Sequence, residues 1–80
     1  MIYGYAAKEV NDFGLFEMKE ITFVASPEVL REVAYFLNTM ADLMEAGGFS
    51  NTHRHIGNTV KNWDKRFPGK DVIVIPPSDT

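Results

Sequence analysis

The sequence contains no cysteine among its 80 residues. It therefore has no disulfide, no thiolate metal cage and no thiol nucleophile, and zero cysteines fit a reducing compartment. The apolar core must supply the stability, and 45% of the residues are hydrophobic against 24% charged, which excludes a disordered chain. Because cores of this size often give only marginal stability, we retain a homodimer as an alternative to a monomer.

The sequence also lacks any long hydrophobic run. No stretch approaches the roughly 18 apolar residues of a membrane span, and Met1 to Val10 has neither the basic start nor the apolar region of a signal peptide. We therefore expect a cytoplasmic protein with no membrane partner. The length allows one domain, predicted over residues 1–77, followed by a flexible tail at 78–80.

Charge is unevenly distributed along the chain. Residues 1–52 carry eight acidic and three basic residues, whereas residues 53–70 carry five basic residues against Asp64 alone. Such polarity could present an acidic face to one partner and a basic face to another. A solvated surface with local bias is the simpler interpretation, and we prefer it.

Two strands are predicted at the N-terminus. Ile2 to Val10 is rich in tyrosine and aliphatic residues, the turn cluster Asn11 to Gly14 follows, and Leu15 to Ala25 forms the second strand of a hairpin. In the second strand the apolar residues do not all fall on one face. Strict alternation places Phe16 and Met18 on one face and the later apolar residues, Ile21 and Phe23, on the other. A β-bulge near Lys19 and Glu20 would correct the register, and we favour it over a strand buried on both faces.

The segment from Pro27 to Ala46 predicts a long amphipathic helix. Ser26 is a good N-cap, Pro27 fits the first helical position, and Gly47-Gly48 marks the end. The main apolar stripe is predicted at Leu30, Val33, Leu37, Met40 and Met44, and it is widened by Val29, Phe36 and Leu43. We expect this stripe to cover the sheet, which leaves little of it for a partner.

The rest of the chain is less regular. Phe49 to Ile56 reads as a short strand, and Ile56, Val60, Trp63 and Phe67 recur at the spacing of a second short helix. The β-branched run from Asp71 to Ile75 predicts a strand inside the sheet. The fold class is therefore α+β: a small antiparallel or mixed sheet, made of the N-terminal hairpin and the C-terminal strand, packed against one long helix.

His53-Arg54-His55 is the most chemically suggestive motif. On a strand His53 and His55 would share one side and could share a metal, but a third ligand such as Asp12 or Asp71 would be needed. Two partly buried, hydrogen-bonded histidines are the preferred interpretation, and contact with a partner protein is the other alternative. We predict no cofactor and no metal.

Trp63 lies in the basic segment with Arg54, Lys61, Lys65 and Arg66. An aromatic residue among basic residues suits single-stranded nucleic acid, but one tryptophan in a short helix is more often a core anchor, and no RNA-binding signature is present. Nucleic acid is therefore not expected as a partner. No spacing marks a catalytic pair or a nucleophile beside a base, so we do not expect an enzyme.

The order of several motifs resembles that of a known family. The string from Glu20 to Leu30, EITFVASPEVL, leads into the helix, and His53-Arg-His55-Ile56 and the terminal DVIVIP follow. This order resembles bacterial polymorphic-toxin immunity protein family thirty-two over roughly residues 15–77. The resemblance implies a cytoplasmic protein that binds and neutralises a cognate toxin without chemistry of its own, with His53 and His55 matching the family's paired histidines.

Two functions therefore remain open at the sequence level. The first is a stoichiometric immunity-type module that binds its protein partner through His53, Arg54, His55 and Trp63. The alternative is a small homo-oligomeric domain that binds a metal or small ligand at His53 and His55.

Overall fold

The computed structural model describes residues 1–10, 14–49 and 52–77 and shows a small α+β fold. The first three residues of the turn cluster expected from Asn11 to Gly14, the candidate ligand Asp12 among them, and the tail at 78–80 lie outside the described residues. The elements in chain order are β1 (Ile2–Val10), β2 (Phe16–Phe23), α1 (Pro27–Glu45), β3 (Arg54–His55), a 3₁₀ turn (Ile56–Asn58), α2 (Trp63–Arg66) and β4 (Ile73–Val74).

Strands β1 and β2 form an antiparallel hairpin that contains the predicted bulge. Tyr5 pairs with Glu20 and Ala6 pairs with Met18, so Lys19 is the extra residue. Because paired residues share a face, this bulge brings four apolar side chains of β2 to one side. These residues are Phe16, Met18, Ile21 and Phe23. The Met18 methyl lies over Gly4, where any Cβ would collide with it.

Helix α1 begins and ends as its local sequence predicts. The Ser26 hydroxyl accepts a hydrogen bond from the Val29 N–H at 3.2 Å. At the other end Gly47 has φ of +75°, and the Gly48 N–H donates to the Leu43 carbonyl at 2.9 Å. This is a Schellman cap, in which glycine takes the left-handed conformation without a steric cost.

The core forms between α1 and the segment that follows β3. Among the described residues the buried apolar side chains are Val33, Phe36, Met40, Ile56, Val60 and Trp63. From the described part of the hairpin and the residue before it, Phe23 and Met1 pack partly buried against this cluster. The core is therefore small and lies at one end of the hairpin.

The predicted face of α1 is only half right. Val33 and Met40 are buried as expected, and Phe36 is fully buried at the centre of the core, whereas Leu30 and Leu37 are 43% and 46% exposed. The side of α1 that faces the core is centred closer to Val29 and Phe36 than the predicted stripe was. This shift arises because the apolar arc of the helix is wider than one packing surface can cover. The expectation that the helix leaves little apolar surface free is therefore wrong.

The C-terminal strand does not lie inside the hairpin sheet. Strand β4 pairs with β3 in a separate two-stranded antiparallel sheet, with Arg54 opposite Val74 and His55 opposite Ile73. Ile73 is 47% exposed, so the strand is not buried on both faces. The predicted second helix is also divided, because Asn62 takes a left-handed φ of 62° between the 3₁₀ turn and α2. No helix in the described part of the chain has the length and apolar character to cross a bilayer.

Candidate functional site

The paired histidines lie together at the start of the small sheet. The ring centroids of His53 and His55 are 4.9 Å apart in an edge-to-face arrangement, which confirms that the two rings share one side. His55 Nδ1 lies 2.6 Å from the Asp71 carboxylate, and both side chains are 41% exposed. Asp71 is one of the two carboxylates that the sequence offered as a neighbour, and the structure brings it to His55 across the β3–β4 pairing.

This cluster does not make a metal centre in the part of the chain that the structure describes. No group of three or more His, Asp or Glu side chains comes close enough there to hold an ion. His55 already uses Nδ1 toward Asp71, so the geometry is that of an orienting ion pair or hydrogen bond. The arrangement fixes the His55 ring and leaves the exposed His53 ring beside it for surface contact.

Arg54 points away from the histidines. Its guanidinium carbon lies 5.5 Å from the centre of the Phe49 ring, within the range of a cation–π contact. Its Nε atom is buried and has no hydrogen-bond partner within the described ranges. The structure therefore separates Arg54, packed on Phe49, from the histidine pair that surrounds it in sequence.

Trp63 is a core residue in the structure and does not line a surface. Its side chain is 0% exposed, and its indole N–H donates to the Lys70 carbonyl at 2.9 Å. The Phe67 ring packs against it with centroids 4.6 Å apart. Of the two interpretations given to Trp63, the structure supports the core anchor, and no face of the indole is open to a partner in this conformation.

An ion pair ties the basic segment to the helix. Arg66 donates to both oxygens of Glu32 at 2.9 and 2.7 Å. This bidentate hydrogen bond from Arg66 holds the pKa of Glu32 below its usual value, and Glu32 in turn raises the pKa of Arg66. The pair spans 34 residues of sequence, so no local pattern could have indicated it.

A shallow groove lies next to this ion pair. Its volume is about 430 Å³, and its walls come from one side of α1 and from the residues after the 3₁₀ turn. The lining residues are Glu28, Arg31, Glu32, Tyr35, Thr59 and Val60. The groove is open to solvent and contains neither histidine, so it does not support a ligand site at His53 and His55.

The surface that sequence reasoning missed is a row of apolar residues on α1. Leu30, Ala34, Leu37 and Ala41 are all exposed. Their spacing of four, three and four residues places them in one line along the helix, which we call the α1 seam. The signal was present in the sequence, because the apolar arc is wider than a single core-facing stripe, but only the observed burial shows which part is left uncovered.

The seam has a charged border. On the side of α1 next to the seam, Asp42 and Glu45 stand against the single cation Arg31. The polar border therefore carries a net negative charge beside the apolar row.

Comparison with protein-family models, with curated proteins and with solved structures finds no match.

Proposed function

We propose that this chain is a cytoplasmic protein-binding module of immunity type, which neutralises a cognate toxin by stoichiometric contact. The resemblance of its ordered motifs to the immunity family supports this class. The observation that carries the proposal is the α1 seam, an exposed apolar row on the most regular element of the fold. The proposal assigns the chain no catalytic step and no cofactor.

The seam has the properties of a contact surface for another protein. Leu30 and Leu37 each leave nearly half of their surface in water. Covering the exposed part of each leucine would contribute about 1 kcal/mol. Because α1 is capped at both ends and anchored by Val33, Phe36 and Met40, the row is held rigidly and loses little entropy on binding.

The charged border specifies the complementary partner. A polar side with two carboxylates and one guanidinium favours a partner whose apolar patch is rimmed by basic residues. Such complementarity raises the association rate and makes it sensitive to salt. His53, which is exposed beside the oriented His55, is the second region that we assign to the contact.

The test is coexpression with the product of the neighbouring open reading frame. We expect that product to be toxic alone, to be neutralised by this chain, and to copurify with it in equimolar amounts. The Leu37→Lys variant should bind at least about tenfold more weakly, because it places a charge in the apolar contact. The matched control is Val24→Lys, since Val24 is 64% exposed before α1, outside both the seam and the histidine region, and Leu37 is 46% exposed.

Two results would contradict the proposal at different levels. If no neighbouring product is toxic and none binds, the immunity function is wrong. If the toxin is neutralised equally well by wild type and by Leu37→Lys, the function stands and the seam is not its surface. A His53→Ala variant then tests the region that the sequence singled out, with circular dichroism to show that each variant is folded.

A further inference from the structure

The hairpin of β1 and β2 is poorly covered by its own chain. It forms a sheet of only two strands, and neither outer edge pairs with another strand among the described residues. Five large apolar side chains on these strands are 44% to 69% exposed. They are Tyr3, Tyr5, Phe16, Met18 and Ile21. Isolated two-stranded hairpins are marginally stable in water, so this one needs additional cover.

The accessible surface of the whole molecule is larger than that expected for a folded monomer of the same mass. Its accessible surface is 6318 Å², whereas a folded monomer of 9.0 kDa is expected to expose about 4,900 Å². The excess is about 1,400 Å², and a stable interface buries about 800 Å² on each partner. The radius of gyration of 13.6 Å likewise exceeds the roughly 11.6 Å expected for 80 residues. The excess is larger than the area that one such interface would bury on this chain.

The two edges of the hairpin differ in their protection. Strand β2 carries Glu17, Lys19 and Glu20 and the bulge at Lys19, and both charges and bulges block pairing with another strand. From Ile2 to Ala7, β1 has no charge and no proline. The edge of β1 is therefore the one open to strand addition.

Backbone direction supports the same edge. The Val24 N–H donates to the Met1 carbonyl at 2.8 Å, so Met1 turns its carbonyl toward the β2 side. Because the direction of backbone groups alternates along an antiparallel strand, Ile2 and Gly4 turn their N–H and C=O groups to the open edge. These groups have no strand partner in the described part of the chain.

We propose that β1 pairs with β1 of a second copy, which makes a four-stranded antiparallel sheet across a two-fold axis. A strand that pairs with itself places each residue near its own counterpart, so a charged edge would repel itself and the neutral stretch of β1 does not. The axis is perpendicular to the sheet and keeps the apolar faces of both hairpins on one side. The antiparallel arrangement brings the uncovered tip of each hairpin, with Phe16 and Met18, beside the body of the other copy.

The registers centred on Tyr3, Gly4 or Tyr5 each place a tyrosine of one copy close to a tyrosine of the other. An axis through Gly4 sets Tyr3 opposite Tyr5 of the other copy, and an axis through Tyr5 sets Tyr5 opposite itself. Both tyrosines are more than 60% exposed in the single chain, so charges placed there do not disturb its core. They are therefore the positions for a test by charge.

The experiment measures mass by sedimentation equilibrium and native mass spectrometry. We expect wild type to have twice the 9.0 kDa protomer mass. The double variants Tyr3→Lys/Tyr5→Lys and Tyr3→Glu/Tyr5→Glu should each dissociate at least about tenfold more readily, because like charges then meet at the axis. A mixture of the two should form a heterodimer. This rescue shows that each variant is folded and that the charges themselves control assembly.

The matched control is Glu20→Lys/Thr22→Lys. These residues lie directly opposite Tyr5 and Tyr3 on β2, so the charges fall on the same face of the hairpin but one strand farther from the axis. We expect this variant to remain a dimer. A monomeric wild type, a mixture that stays monomeric, or a control that dissociates as readily as the tyrosine variants would each overturn the proposal. None of these masses depends on a toxin, so the dimer and the immunity function can fail separately.

Discussion

Replacing Trp63 with phenylalanine tests whether the core is organised as described. Two losses determine the expected effect. The indole N–H bond to the Lys70 carbonyl disappears, which costs about 1 kcal/mol. The smaller ring leaves a cavity beneath α1, because Trp63 is fully buried beside Phe36 and Ile56, and this costs a further 1–2 kcal/mol or so.

The expected total of about 2–3 kcal/mol is large for this chain. A protein of 80 residues has a free energy of unfolding of roughly 4–12 kcal/mol. Urea unfolding followed by far-UV circular dichroism measures the difference, since Trp63 is the only tryptophan and its fluorescence is lost in the variant. Tyr35→Phe is the control, because Tyr35 is 61% exposed and should change stability by less than about 0.5 kcal/mol. A Trp63→Phe effect as small as that of the control would refute the core assignment.

Two further predictions concern the turn before α2 and the ion pair on α1. Asn62 has a left-handed φ of 62°, which glycine adopts freely and alanine does not. In urea unfolding, Asn62→Ala should therefore lower the free energy of unfolding by about 1 kcal/mol, whereas Asn62→Gly should leave it almost unchanged. Equal losses for the two variants would contradict the view that the backbone conformation causes the effect. Because Arg66 lowers the pKa of Glu32 in the folded state, the pair stabilises the fold above the usual value of 4.5, and this contribution is lost as pH falls through the lowered pKa. The melting temperatures of wild type and Glu32→Gln should therefore differ at neutral pH and converge in acid. A gap independent of pH would rule out this linkage.

The features that local chemistry determines were predictable from the sequence. The bounds of α1 follow from Ser26, Pro27 and the glycine pair, each of which acts within one helical turn. The bulge at Lys19 follows from strand periodicity, because only an extra residue brings Met18 and Ile21 to the same face. Both predictions are confirmed, and neither needs knowledge of distant contacts.

The features that depend on distant contacts were predicted less well. The apolar run of β4 was assigned to the hairpin sheet, but its partner is β3, and nothing in a β-branched run identifies the strand that it pairs with. The side of α1 that faces the core depends on where Ile56, Val60 and Trp63 dock, which sequence spacing does not specify. The Glu32–Arg66 ion pair likewise joins segments that only the fold brings together.

The candidate site shows the same division within one short motif. The shared side of His53 and His55 follows from strand alternation, and the proximity of rings confirms it. The core position of Trp63 was the preferred interpretation of its place in a short helix, and its full burial confirms it. The contact of Arg54 with Phe49 does not follow from strand alternation.

The two proposed contacts lie on different elements, and this matters for interpreting each experiment. The α1 seam is anchored through Phe36 to the central core, whereas the described part of the hairpin reaches that core through Met1 and Phe23. Charges at the β1 edge should therefore leave the seam in place, and a lysine at Leu37 should leave the strand edge intact. The periodic spacing of apolar residues in a sequence indicates that they pack against a surface, but it does not identify that surface. In this chain the small core covers one row of α1. We assign the exposed leucines of α1 and the exposed side chains of the hairpin to contacts with other polypeptides.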